Sequence, residues 1–381
     1  MPGSDPALPG DYALARCPAC GSALTVAPVP AAAHEEGAYG GGTPRGSGLA
    51  APLLRAFDRR RLTFLARAGA RPPGRLLDIG AGRGRFVAQA RAAGWVADGI
   101  EPSLRGVTGA RALGVELQQA GVDDAVVAPA SLDAATLWHV LEHLDDPGAA
   151  LARIAAWLRP GGLVVVGVPN LGSVQARAGG ARWYHLDVPR HRTHFTVQGL
   201  HALLRRSGLE PVSTHHTLAE HNPFGLWQSV VSRATRTPSW LYHALKRNAP
   251  LRSRDAVVTA LALALAPVAV VAELGFALAR RGGTVAVVAR RVQLDDEHAA
   301  SRVARHIEPR VGDHSAPSYG SASAAATASP SPVRRAPGTR PATASAAAAT
   351  CGAVPGPVTT TTGVPIARSS RRDGDQLDWP A

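Results

Sequence analysis

Leu77-Asp78-Ile79-Gly80-Ala81-Gly82-Arg83-Gly84-Arg85-Phe86 is the stretch that decides the fold class. The apolar run at 75–79 reads as a short buried strand, and the loop that ends it carries glycine at alternate positions. Glycines there let the chain turn tightly and let a ligand approach the backbone closely. The helix read from 85–93 would present its first N–H groups to that ligand. The spacing is one residue shorter than the dinucleotide fingerprint, with an acid two residues before the first glycine. A second acid, Glu101, closes the next apolar run, where a carboxylate can accept both hydroxyls of a ribose. A glycine loop alone is a weak signal; loop, strand-end acid and strand–helix–strand context together are specific.

Outward from this loop the alternation continues. A helix is expected over 53–68, with its arginines on the outer face, ahead of the first strand. Strands follow at 95–100, 114–119, 131–137 and 162–168, separated by helices at 104–113 and 147–158. A helix at 196–207, a strand at 210–216 and a last strand at 283–289 complete the pattern. Strands alternating with helices imply an α/β fold: a doubly wound, Rossmann-like sheet covered on both faces. Four regions separate by composition: 1–46 with one Cys-x-x-Cys, a core over 47–217 plus 283–291, a helical and apolar insertion over 218–282, and a tail over 292–381. The tail is rich in Ala, Ser, Thr, Pro and Gly, so it is expected to be disordered.

The motifs LLDIGAGRG (76–84), GIEPS (99–103), LWHVLEHLDDP (137–147) and LRPGG (158–162) together resemble class I S-adenosylmethionine-dependent methyltransferases. The resemblance covers about 47–217 plus the last strand, and is nearest to a bacterial subgroup with HVLEH (139–143) and DVPRH (187–191) segments. It implies the seven-stranded methyltransferase fold, with the insertion between the last two strands, and S-adenosyl-L-methionine as cofactor. By that resemblance Gly80, Gly82 and Gly84, following Asp78, surround the methionine portion, and Glu101 holds the ribose. Asp123 or Asp124 would lie near the adenine, and His139 would help wall the cleft.

Methyl transfer to oxygen needs a base near the attacking hydroxyl, and histidine titrates in the useful range. His191, within the polar cluster His185, Asp187, Arg190, His191 and His194, is the first candidate, and His143 the next. The plainer reading of Pro189-Arg190-His191 is a loop-ordering element that caps the helix beginning near Thr196. The spacing of His139, Glu142 and His143 also matches one class of zinc peptidases, but Pro147 forces the chain to turn where a metal-binding helix should continue. Quinone-type O-methyltransferases carry a similar Glu-His pair, which leaves a divalent ion on Glu142 and His143 as a competing reading. No third ligand is assignable from sequence, and no metal is expected. Cys17 and Cys20 look like half of a zinc ribbon, with His34 as one further ligand, and are read as a degenerate knuckle.

The formal net charge is +13, and a single lysine, Lys246, leaves arginine to carry nearly all of the cations. The tail contributes nine arginines against eight acids, so it is no basic nucleic-acid arm. With Ala, Gly and Pro also enriched, the arginine excess says little about nucleic acid, and no nucleic-acid partner is expected. No Asn/Asp-Pro-Pro-aromatic motif follows the fourth strand, as base methylases often have. A nucleic-acid methyltransferase and a non-catalytic S-adenosylmethionine-binding protein remain the alternatives. Three cysteines and a first dozen residues with no signal-peptide pattern suit a cytoplasmic protein.

The insertion holds 256–272, interrupted only by Thr259 and bracketed by arginines, with Trp227, Trp240 and Tyr242 nearby. It reads either as a peripheral contact with the inner face of the plasma membrane or as a soluble cap or dimer contact. The expected acceptor is a small molecule of the glycan, quinone or lipid-linked kind. Oligomeric state is not legible.

Overall fold

The computed structural model describes residues 10–26, 47–216, 222–246 and 252–292. The expected disordered tail, His34 and Cys351 therefore lie outside the described residues, apart from Val292. The first strand of the core, β3 (Arg75–Ile79), sits centrally because its residues are apolar on both faces. Leu76 packs into one layer with Phe64, Phe86 and Val107, and its neighbour Leu77 into the other with Leu151, Ile154 and Leu200. That alternation is what a strand buried on both faces requires.

The remaining strands are β4 (Val96–Ile100), β5 (Leu132–Trp138), β6 (Leu158–Pro169), β8 (Leu209–His215) and β9 (Thr284–Arg291). They form a six-stranded sheet in the order β4-β3-β5-β6-β9-β8. β9 pairs antiparallel with both β6 and β8, and the other pairings are parallel. The α/β, doubly wound expectation is met, with one correction. The strand read at 114–119 is only a parallel bridge between Ile100 and Gln118. Gly114, at φ 69°, turns the chain at its start, and too few residues remain in register to extend a seventh strand.

Helices α1 (Ser47–Arg67), α2 (Arg85–Ala92) and α3 (Leu104–Arg111) belong to one layer; α4 (Pro147–Trp157) and α6 (Val197–Arg206) belong to the other. Ser103, Asp146 and Thr196 cap α3, α4 and α6 by accepting the N–H three residues on, so the turns are set locally. Thr196 supplies its own cap, which relieves Pro189-Arg190-His191 of the capping role considered for it.

Two further parts attach to this core. Residues β1 (Ala13–Arg16) and β2 (Ala23–Val26) form a hairpin, and β2 pairs with the short β7 (Thr193–His194), making a second, three-stranded sheet. Between β8 and β9 lie α7 (Asn222–Val231), α8 (Trp240–Leu245), α9 (Ser253–Ala262) and α10 (Ala266–Leu278). The latter two are joined by a single 3-10 turn at Leu263–Leu265, with Pro267 in the first turn of α10. The insertion thus runs through this stretch as one helical segment. A short helix after β6, α5 (Val174–Gly179), packs on α7 and links the insertion to the core.

Candidate active site

A cavity of about 510 Å³ opens at the carboxyl end of β3 and β5, where ligands bind in open α/β sheets. One wall is the glycine loop. Gly80, Gly82 and Gly84 all have positive φ, at 69°, 55° and 71°, which explains why three glycines were needed. Their surroundings differ in a useful way. A Cβ on Gly80 would come within 2.3 Å of Val140 and one on Gly84 within 2.9 Å of Ala110, whereas one on Gly82 would meet nothing within 4 Å. Gly80 and Gly84 therefore fit the loop to the protein, and Gly82 opens backbone toward the cavity. Glu101 accepts from the Gly82 N–H at 2.8 Å and from the Ser103 N–H at 3.0 Å, so it is held against the loop, although the cavity lining does not include it.

Asp78 lines the cavity and is buried. Burial pushes its carboxyl up to about 7, opposed by the Thr136 hydroxyl that donates to it at 2.6 Å and by the Arg61 guanidinium. Arg61 itself departs from expectation. The arginines of α1 were read as facing outward, but Arg61 turns inward, lines the cavity and lies 4.6 Å from the Trp138 ring centroid. Arg85, the first residue of α2, donates to the fully buried Asp58 at 2.6 and 3.1 Å, which ties α1 to the glycine loop. Asp58 and Arg61 went unrecognised because a helical arginine cluster reads as a solvated face until its neighbours are known. Asp123 and Asp124 are both exposed and outside the cavity lining.

The opposite wall is made of histidines. His139 follows β5 at φ 56°, an unusual backbone for a residue with a side chain, and its Nδ1 lies 3.1 Å from Glu142 Oε1. The His139 ring stacks on the ring of His185, with centroids 6.0 Å apart and planes within 9°. His185 is buried, which holds its imidazole well below the usual histidine range, and its Nε2 has no hydrogen-bond partner. His191 lines the cavity, and its Nδ1 lies 2.9 Å from the carbonyl oxygen of His185. A carbonyl can only accept, so Nδ1 carries a proton and Nε2 is the nitrogen turned away from it. That Nε2 is 3.9 Å from Asp187 Oδ2 and 4.0 Å from Glu142 Oε1. His143, the other candidate base, is outside the cavity lining, half-buried and edge-on to His191 at 4.7 Å.

Glu142, His143 and His191 bring one ligand atom each to within 4.8 Å of one another. His143 Nδ1 faces the Arg190 carbonyl at 3.3 Å, so both rings can turn Nε2 toward Glu142, whose buried Oε2 has no hydrogen-bond partner. Carbonyl-oriented imidazoles beside a carboxylate could hold a divalent ion, and His191 is the third ligand that sequence could not supply. The residues 141–143 form a single 3-10 turn, so the helical geometry of the peptidase reading is absent. Cys17 and Cys20 are buried in the β1–β2 turn, and no described residue completes a metal cluster with them.

The loop carrying His191 is braced from both sides. Thr25 of the hairpin donates to the His191 carbonyl at 2.6 Å, and the Arg192 N–H donates to the Glu142 carbonyl at 2.8 Å. His194 is buried beside Thr25 and outside the cavity lining, and burial lowers its imidazole to about 3, as suits a structural neutral ring. From the insertion, α8 supplies Tyr242 and His243, and Tyr184 packs edge-on against Phe224 and Tyr242 at 5.4 and 5.5 Å. The insertion is therefore a wall of the cavity, a role that no local motif announced.

A glycine loop after a parallel strand, with an acid at the end of the next strand, is the arrangement that nucleotide-binding α/β folds use. Residues 53–214 match the model of a methyltransferase domain family. The chain is 35% identical over 124 residues to a ubiquinone biosynthesis O-methyltransferase of Xanthomonas campestris, covering 31% of this chain and 52% of that protein. To the same-named protein of Cereibacter sphaeroides it is 30% identical over 151 residues, covering 36% and 61%. The chain thus spans about half the length of the curated relatives it matches. A solved methyltransferase from Thermotoga maritima, described as a possible histamine N-methyltransferase, is 26% identical, covering 43% of this chain and 75% of that one, with a TM-score of 0.35. Residues 53–214 are a class I S-adenosylmethionine-dependent methyltransferase domain.

Proposed function

We propose that this protein transfers the methyl group of S-adenosyl-L-methionine to an oxygen of a small acceptor of the quinone, glycan or lipid-linked kind. The observation that carries the reading is His191: a cavity-lining imidazole whose tautomer is fixed by the His185 carbonyl, across from the glycine loop. The residues fit the cofactor, since Gly82 lines the cavity and leaves open space where a side chain would otherwise stand. The loop glycines and Glu101 would hold it, and Asp78 would face its positive charge. S-adenosylmethionine supplies a methyl group already activated on a sulfonium, so positioning carries most of the catalysis. His191 takes the acceptor's proton at Nε2, and the carboxylates of Asp187 and Glu142 nearby stabilise the imidazolium that forms. Trp138, Tyr184 and Tyr242 around the cavity exclude water. The named activity of the ubiquinone relatives supports oxygen as the target. The same reading puts the protein in the cytoplasm, with peripheral contact to a membrane.

The test is transfer of labelled methyl from S-adenosylmethionine to a panel of catechols, glycan hydroxyls and polyprenyl phenols, with the product located by mass spectrometry. An O-methyl product supports the reading; methylated nitrogen or nucleic acid, or no turnover despite cofactor binding, overturns it. Repeating the assay after chelation and with added magnesium or manganese separates the two uses of the histidines. Full activity in chelator leaves His191 as a base, while activity restored only by metal makes Glu142, His143 and His191 its ligands.

A further inference from the structure

The run from Ser253 to Leu278, 26 residues long, is built inside out relative to a soluble surface helix. From Asp255 onward its polar side chains, Asp255, Thr259 and Glu273, face the protein. Asp255 is fully buried and accepts from the Arg236 and Thr237 N–H groups at 2.9 and 3.3 Å. Glu273 is buried and accepts from the Gly283 N–H at 2.7 Å and from Gln175. Its outer face is aliphatic: Leu261, Val271 and Leu278 are 74%, 72% and 75% exposed, with Val257, Leu263 and Val268 between and beside them. No charged residue other than the buried Glu273 occurs from Val257 to Ala279. An apolar face of this extent marks a contact surface.

Charge decides what covers it. Among residues 222–292 the only acids are Asp255 and Glu273, both turned inward, so the exposed charges of the described residues there are cationic. Arg252 and Arg254 stand exposed at one end of the run, and Arg280 and Arg281 at the other. A second copy packed on this face would bring these arginines together with no exposed acid of the same stretch to pair them. Anionic headgroups would neutralise them while acyl chains cover the aliphatic face. By length and composition the run could cross a membrane, but its inner face is engaged along its length. Trp227 donates to the Ala262 carbonyl at 2.8 Å, Ala269 and Phe276 pack with Leu226 and Trp227, and the chain re-enters the sheet at Thr284.

We propose that the outer face of α9 and α10 docks in plane on an anionic phospholipid bilayer, with its arginine-bearing ends on the headgroups. This rests on the functional reading above only in naming that enzyme's partner. Because α8 touches α9 and lines the cavity, the docked segment packs directly on the wall of the site.

The test is flotation of the full chain with phosphatidylcholine vesicles, with and without phosphatidylglycerol. It reads binding without turnover, so it can fail independently of the enzymatic assignment. The expected result is flotation with anionic vesicles that weakens with salt. Leu261→Asp/Val271→Asp should lose it at least tenfold while S-adenosylmethionine affinity by calorimetry stays unchanged. Replacing Arg252, Arg254, Arg280 and Arg281 with Ser should reduce the preference for anionic vesicles by about fivefold per charge. Should the double variant fail to bind cofactor, Val271→Asp alone gives the same reading at one exposed position. Absence of flotation by the wild type, or flotation of the folded aspartate variant at wild-type level, overturns the proposal. So does a lipid-free dimer in sedimentation equilibrium that the aspartate variant dissolves, since a second copy then covers the face.

Discussion

The glycine loop takes its backbone turn and its two acids from the short segment Asp78 to Glu101, whereas the histidine wall opposite is assembled from distant pieces. His139 follows β5, His185 and His191 lie after β6, Thr25 reaches in from the N-terminal hairpin and Tyr242 from the insertion. The loop's conformation is dictated by local backbone geometry, three positive φ angles that favour glycine. The wall exists only because strands far apart in sequence are neighbours in the sheet and two accessory elements close over them. Cofactor binding should therefore respond to changes in one short segment, and acceptor chemistry to changes scattered over the chain.

The sharpest way to break that division is His191→Ala. Loss of the base is expected to lower kcat by about 10²- to 10⁴-fold. Calorimetric affinity for S-adenosylmethionine should hardly move; a parallel loss of cofactor binding would mean that the two walls are one unit. Glu101→Ala tests the other wall. Removing a charge-assisted hydrogen bond of about 1.5–3 kcal/mol should weaken cofactor binding by about 10- to 100-fold. Unchanged affinity would remove Glu101 from the cofactor site.

Asp78 gives a pH signature to the cofactor side. Its carboxyl is raised to about 7 in the free protein, so it is neutral below that pH, and a cationic cofactor favours the ionised form. Affinity for S-adenosylmethionine should fall as pH drops through 7, by about tenfold for each further unit, and level off above it. Asp78→Asn should flatten this profile; a wild-type profile that is already flat would separate Asp78 from the cofactor's charge. The smallest effect concerns the brace. Thr25→Val removes two hydrogen bonds to the segment carrying His191, one to the His191 carbonyl and one shared with His194 Nε2, each worth about 1 kcal/mol, and should lower kcat by at least about fivefold with cofactor affinity unchanged. No change in kcat would show that the hairpin only covers the loop.

Much of this fold was legible because its signals are local. Residues 75–79 read as a strand from their apolar run and appear at those bounds in β3, and the glycine at 84 hands over to a helix at Arg85 as its neighbours suggest. The expected strand at 114–119 had the right residue types but forms a single bridge at Gln118, because pairing depends on register with β4 and not on propensity. The arginines of α1 show the same limit. A helical face is amphipathic in sequence, but which arginine turns inward is set by Trp138 and Asp78, residues on other strands.

The sequence by itself determined the doubly wound class, the glycine loop and its acids, and the presence of histidines suited to proton transfer, since each follows from short-range patterning. Only the tertiary structure decided that His191 rather than His143 lines the cavity and which of its nitrogens faces a backbone carbonyl, because that depends on the His185 carbonyl six residues away brought round by the loop. It also decided that Asp255, Thr259 and Glu273 of the apolar run face inward. A helix shows its faces in sequence, but only the packing of α7 against it tells which face is inside.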